Sequence, residues 1–439
     1  MRILQFSTHD MLGGAARAAS RVHVALRNAG HPSQMVVRYE QSHDPDVHQT
    51  ARISGWRSRL RTLKRLVLRP WEHVPIVTGG YTFNLDVEPH IDTGLFYGYR
   101  QGAVDIICLH WITGLLTVAE IRKLHAHYRC PLIRVMMDQE PVTGGCHYSH
   151  GCNGFTRQCG DCPQLSSSEL DDRSRIVWRR KLKYLTDLPI VFVAPTTWCL
   201  DRLRESSLFR DHQVELIPLP IDTTVFRPYD QHVARDLLHV EQGKKVVLFA
   251  NYSLEDGRKG MNYLAEAFHR LSLMLTDADG TLPRDDVLLL SVGLDRDGFS
   301  SALPFATRQL GYLQDDITLA LAYQAADVFV CPSIHDAGPM MIPESMLCGT
   351  PVVAFKTGGA PDLIETMKTG YLAAHRDSAD LAEGVWRLLT EGNATATRAA
   401  ARAVAARKHT PSAVARQYLE LYSALLDRRQ ASRDDAGTL

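Results

Sequence analysis

The chain has no surplus of charge: 49 lysines and arginines stand against 49 aspartates and glutamates over 439 residues. Without a bulk basic or acidic field, no nucleic-acid partner is expected. No apolar run reaches the roughly 20 residues that cross a bilayer. Met1 leads straight into a strand-like run rather than a signal peptide. Together these absences predict a cytoplasmic protein. In that compartment the nine cysteines are expected as thiols or metal ligands, not as a disulfide framework. No internal repeat is visible.

What is present suits two soluble domains. Hydrophobic residues make up 45% of the chain, and its length allows two domains of about 200 residues. Strand-like runs alternate with helical patterns, as in parallel α/β domains. The first series predicts strands near Ile3–Ser7, Met35–Arg38, Val104–Leu109, Leu132–Met136, Ile190–Ala194 and Val214–Ile217. The second predicts strands near Val246–Phe249, Val287–Val292, Val328–Cys331 and Val352–Phe355. The Pro-punctuated IPLPIDTTVFRP reads as a linker, giving domains at 1–217 and 218–410 and a closing segment at 411–439. Its helix is expected over Ser412–Leu426, with a polar, disordered tail after Asp427.

The most informative segment is Val330–Gly359, VCPSIHDAGPMMIPESMLCGTPVVAFKTGG. A buried strand ends in a Pro, and Pro343 suits a first helical turn because it has no N–H to leave unpaired. The loop Asp336–Ile342 therefore feeds a helix outside the carboxyl end of a strand, where α/β sheets bind ligands. Gly338 lets the backbone approach a ligand, and free N–H groups at the helix start favour a phosphate. Asp336 and Glu344 stand at the two ends of the loop, so one carboxylate can hold a ribose diol while the other reaches a hexose.

This acid-x7-acid spacing, with the following CGTPVVAFKTGGAPDLIE, resembles family 4 glycosyltransferases. The resemblance implies the α/β GT-B fold: two doubly wound Rossmann-like domains facing a central cleft, with the donor held mainly by the second and the acceptor by the first. It implies that Glu344 binds the donor ribose and Asp336 lies near the donor sugar; Asp336 stands where the family usually has Glu, which keeps the charge and shortens the reach. The implied activity is hexosyl transfer from a nucleotide-sugar donor to a saccharide or lipid-linked acceptor, with retention of configuration, in polysaccharide or glycoconjugate biosynthesis. No Asp-x-Asp pair sits where a donor metal would be needed, so transfer is expected to require no cofactor. Two other readings stay open: a sugar-nucleotide epimerase or phosphorylase of the same fold, and a noncatalytic carbohydrate-binding protein.

Other candidates surround this segment. Gly13 and Gly14 follow the first strand and open a helix at Ala15–Ala29, where bare backbone can approach a phosphate or an acceptor sugar. In ANYSLEDGRKG, Arg258 and Lys259 are placed to neutralise a donor diphosphate as the glycosidic bond breaks. The family usually closes that strand with Arg; here Asn251 stands in its place, which favours Lys259 over Arg258. His110 and Asp138 each follow a strand and are expected to face the cleft, with Asp138 orienting an acceptor hydroxyl or taking its proton. Relatives often have a His-Asp pair there, but Met137 precedes Asp138 in this chain.

CHYSHGCNGFTRQCGDC carries Cys146, Cys152, Cys159 and Cys162, and its closing Cys-x2-Cys is a common half-site for zinc. This Cys-rich insert, 143–165, resembles one found in a polysaccharide branch of the family. A structural zinc is the favoured reading, with His147 and His150 as substitute ligands; an iron–sulfur cluster, a redox pair and uncoordinated thiols are the alternatives. Between Arg52 and Arg69 the chain has seven basic residues and no acid, with Trp56, Leu60, Leu63 and Val67 at helical spacing. Such a helix either packs by its apolar stripe on the first domain or lies on an anionic membrane, making the protein peripheral at the inner face. If it meets lipid, replacing Arg61, Lys64 and Arg65 by Gln should cut sedimentation with anionic vesicles by more than threefold, since each basic residue there is worth about 1 kcal/mol. Equal sedimentation with neutral and anionic vesicles would leave a surface helix.

Overall fold

The computed structural model describes residues 1–51, 83–87, 91–100, 102–254, 257–277 and 282–437. The basic segment 52–69 lies outside these residues. Seven parallel strands form the first sheet: β1 Ile3–His9, β2 Ser33–Tyr39, β3 Val47–Gln49, β4 Ile106–Leu109, β5 Leu132–Val135, β6 Ile190–Ala194 and β7 Val214–Leu216. Six form the second: β8 Lys245–Ser253, β9 Val287–Leu294, β10 Ala306–Gln309, β11 Val328–Cys331, β12 Val352–Phe355 and β13 Gly370–Ala373. The orders are β3-β2-β1-β4-β5-β6-β7 and β10-β9-β8-β11-β12-β13. Each chain path starts in the middle, winds outward one way, then returns to wind the other, the doubly wound pattern.

Three strands lie outside the expected set. β3, β10 and β13 are short, and β3 and β10 carry half-solvated polar residues at sheet edges. Edge strands have fewer neighbours to satisfy, so they lack the continuous apolar run that marks a central parallel strand.

Alternation decides which face each side chain serves. In β8, Val246 and Leu248 join one core with Phe329, Met346 and the helix Ala394–His409. Val247 and Phe249 join the opposite core, under the helices Met261–Asp277 and Ser378–Thr390. Helix starts are fixed by side-chain caps from Thr117, Asp172, Thr196, Asp315 and Asp377, each typically worth about 1 kcal/mol.

The two units are Met1–Pro220 with Val414–Leu439, and Ile221–Ala413. The chain re-enters the first unit through the helix Pro411–Gly437, where Val414, Tyr418, Leu421 and Tyr422 pack with Ile3, Ile106 and Ile133. This helix also corrects an expectation: it continues to Gly437 through the segment read as a disordered tail. Arg, Gln and Ala are good helix formers that need no burial, and Arg428 Nη1 donates to Gln213 Oε1 at 3.0 Å. Among the described residues no helix is long and apolar enough to cross a membrane.

The two ends of this helix should differ in their contribution to stability. Tyr418→Ala empties a fully buried site and should cost about 3–5 kcal/mol, as other large aromatic truncations do. Ending the chain after Asp427 removes an exposed contact and should change stability by only about 0.5 kcal/mol. Urea unfolding of both variants checks the contrast.

Candidate active site

In the second unit the direction of winding reverses between β8 and β11, so the crevice at their carboxyl ends is the place for a ligand. β8 leads through a 3-10 turn, Gly257–Lys259, into the helix beginning at Met261. β11 leads through a loop into the helix Met341–Leu347. The two turns are pressed together at Gly260, which has φ +73° and whose missing Cβ would strike the Pro332 carbonyl. Ile334 N–H donates to the Arg258 carbonyl at 3.1 Å, closing the contact.

This contact sets two cations on one acid. Lys259 Nζ lies 2.5 Å from Asp336 Oδ2, and Arg258 Nη1 lies 3.5 Å from the same oxygen. Arg258 also donates to the His335 carbonyl at 2.8 Å, and Gly338 N–H donates to Asp336 Oδ1 at 3.2 Å. Asp336 is buried, and burial by itself raises a carboxyl pKa, yet Lys259 and then Arg258 outweigh it and hold the group below its usual range. Glu344 is buried within the helix that follows. Of the expected donor residues, Arg258, Lys259, Asp336 and Gly338 are thus joined directly, and Glu344 lies within the same loop-helix element.

Gly13 and Gly14 belong to the first unit. Gly13 precedes the helix Gly14–Asn28 with φ 85°, a conformation that suits glycine, while open space surrounds both positions.

Asp138 lies at the carboxyl edge of the first sheet, beyond β5. Its Oδ2 accepts from Trp111 Nε1 at 2.9 Å and lies 2.6 Å from His147 Nδ1, while Oδ1 accepts from Glu140 N–H at 2.8 Å. Burial pushes the His147 pKa down, but the Asp138 carboxylate and its hydrogen bond, with Glu140 behind, hold it above the usual value. Glu140 is clamped by Lys181 at 2.7 Å and Arg134 at 3.2 Å. Burial opposes its ionisation, yet Lys181, Arg134 and His147 bring its pKa down to about 2.

His110 requires a correction. It is wholly buried, with Nε2 held 2.6 Å from Gln5 Oε1 on β1. Burial, followed by the nearby Arg134, lowers its pKa to about 3. It is a neutral interior histidine, not a surface group at the strand end.

Residues 243–391 match the family model described as "Glycosyl transferases group 1". Among curated proteins, the chain is similar to D-inositol 3-phosphate glycosyltransferase of Mycobacterium sp. (strain JLS), 29% identical over 43% of this chain and 42% of that protein. It is also similar to phosphatidyl-myo-inositol mannosyltransferase of Mycobacterium leprae (strain TN), 30% identical over 41% and 46%. The matches therefore span less than half the length of these relatives. Among solved structures, sucrose-phosphate synthase from Thermosynechococcus elongatus superposes with a TM-score of 0.66 at 19% identity, covering 97% of this chain and 99% of that one. Anabaena HepE in complex with UDP-glucose gives 0.64 at 18% identity, covering 97% and 100%. The fold is GT-B.

On that fold the partners of Asp138 are the residues that sequence reasoning missed. Trp111 was passed over beside His110, and His147 was considered only as a spare metal ligand. The signal for Trp111 was its place at the end of a central strand; none linked His147 to Asp138. Among the described residues no group of three or more His, Cys, Asp or Glu side chains is set to hold a metal ion as the side chains stand.

The ion cluster predicts acid sensitivity. The Glu140 pKa is depressed from 4.5 to about 2, so its stabilising contribution is complete above about pH 4.5 and is lost as pH falls toward 2. Asp336 acts in the same sense. Glu140→Gln leaves Lys181 buried without its ionic partner, which should cost about 3–5 kcal/mol at pH 7. It should also flatten the fall in stability between pH 5 and 3. Urea unfolding of parent and variant across that range measures both effects.

Proposed function

We propose that the chain is a hexosyltransferase-type glycosyltransferase using a nucleoside-diphosphate-sugar donor. The observation that carries this reading is the cationic turn, Arg258–Lys259, held against the acid loop at the switch point of the second sheet. Arg258 and Lys259 exchange the Asp336 carboxylate for the donor diphosphate and stabilise the charge that develops on it as the glycosidic bond breaks. Asp336, released from that pair, accepts from hydroxyls of the hexose, and Glu344 holds the ribose diol. These fixed cations take the place of a donor-bound metal, so transfer should proceed in the presence of a chelator.

The family match over 243–391 supports the donor half of this reading, as does the likeness to a protein solved with UDP-glucose. For the acceptor, the first unit offers Asp138, oriented by Trp111 and His147. The names of the inositol-directed relatives favour a polyol-containing saccharide or a lipid-linked acceptor. Residues 52–69 would then bring the enzyme to an anionic membrane. The proposed course is retaining: the acceptor hydroxyl attacks from the donor's own face, its proton passes to the departing diphosphate, and the sugar–phosphate bond breaks.

Release of nucleoside diphosphate from a nucleotide-sugar only when an acceptor is added tests the activity. Glu344→Ala and Lys259→Ala should each lower kcat/KM for the donor by about 10- to 150-fold, the equivalent of a lost charge-assisted hydrogen bond of about 1.5–3 kcal/mol. Far-ultraviolet circular dichroism should be unchanged. Parent-like kcat/KM in both variants removes the donor-site assignment. Epimerisation without acceptor would replace transfer with the epimerase reading, and binding without turnover with a carbohydrate-binding one.

A further inference from the structure

The Cys-rich insert contains a feature with no part in the transfer reaction. Cys146, Cys152, Cys159 and Cys162, separated by up to sixteen positions in sequence, all line one cavity of about 20 Å³. That is room for about one water-sized occupant. Gly144, Gly154 and Gly160 complete much of the wall, and a Cβ at Gly144 would crowd the Cys159 sulfur. The chain gives up side chains here to bring backbone close to sulfur.

The backbone is also turned so that an N–H meets one of those sulfurs. Gly154 N–H donates to Cys152 Sγ at 3.4 Å. A donor at the second residue beyond a cysteine stabilises sulfur when it carries negative charge, and a neutral thiol gains little from it. Reaching this path places Cys159, Asp161 and His150 at positive φ, between 49° and 54°, a conformation uncommon for residues with side chains.

We propose that these four cysteines bind one structural zinc ion. Its binding exchanges four S–H protons for four Zn–S bonds, and the Gly154 N–H offsets part of the net negative charge that results. Four thiolates complete a tetrahedron and leave no open position for an activated water, so the ion orders the insert without taking part in transfer. Because among the described residues no donor group is set for a metal as the side chains stand, capture requires the sulfurs to turn inward, a change between staggered rotamers about each Cα–Cβ bond. The cavity's size favours a single ion over an iron–sulfur cluster, whose several irons and sulfides need more room. This inference is independent of the glycosyltransferase reading.

Protein purified without chelator should contain about one zinc per chain by elemental analysis, since closed four-thiolate sites hold one ion. After the zinc is stripped, titration with cobalt should saturate at one equivalent and give the red-visible absorption of tetrahedral thiolate coordination. Cys159→Ser with Cys162→Ser should abolish both signals. Cys162→His, which retains a four-donor zinc set, should restore them and guards against simple misfolding of the double variant. Stripping should lower the Tm of the parent by several degrees and leave the double variant unmoved. Zinc content unchanged in the double variant, iron in place of zinc, or a metal-free parent whose Tm ignores added zinc would each overturn the proposal.

Discussion

The second unit turns on the Asp336 carboxylate and the two cations that meet it. A buried acid is costly to ionise, and the approach of Lys259 and Arg258, with the Gly338 N–H, makes its charge tolerable. That approach depends on the turn after β8 lying against the loop after β11, which in turn depends on Gly260 having no Cβ. Gly358 repeats the device on the other side: it has φ 56°, and a Cβ there would strike the Asp336 carbonyl. The acid is therefore clasped by backbone from two neighbouring connections, and the cations have one place to go. In the proposed reaction the same cations meet a phosphate, so the pair that stabilises the ligand-free site is also the one a donor must displace.

The first unit solves a comparable problem with Glu140. Here the acid and its cations, Arg134 and Lys181, are all buried, so the cluster resists rearrangement. Lys181 Nζ also donates to the Thr143 carbonyl at 3.0 Å, and Asn84 Nδ2 donates to Glu140 Oε1 at 2.8 Å. The cluster thereby ties the start of the Cys-rich insert to the sheet, and the Glu140 N–H holds Asp138, which in turn holds His147. Removing either partner would leave a charge in a low-dielectric interior, which is why such a group acts as an anchor rather than a switch.

Much of this was legible in the amino-acid order. The central strands were readable because parallel strands buried on both faces are continuous apolar runs. The loop from Asp336 to Glu344 was readable because a Pro-ended strand, a Gly-Pro turn and two acids fall within a few positions. β3, β10 and β13 were not, since an edge strand can be short and polar. The closing helix past Asp427 was misread because a charged sequence can be helical without a core to cover.

The sequence by itself determined the two α/β units, the turn that carries Arg258 and Lys259, the acid loop and the cysteine spacing, all of which depend on local order and periodicity. Tertiary structure alone decided which groups meet. It placed His110 against Gln5 inside the first unit, gave Asp138 a tryptophan and a histidine as partners, and set Lys259 on Asp336 rather than in solvent. It also brought four cysteines to one cavity. The reason is physical: which side chains meet across a long separation in sequence depends on strand order and on where glycine lets backbones touch, and neither is written in any one segment.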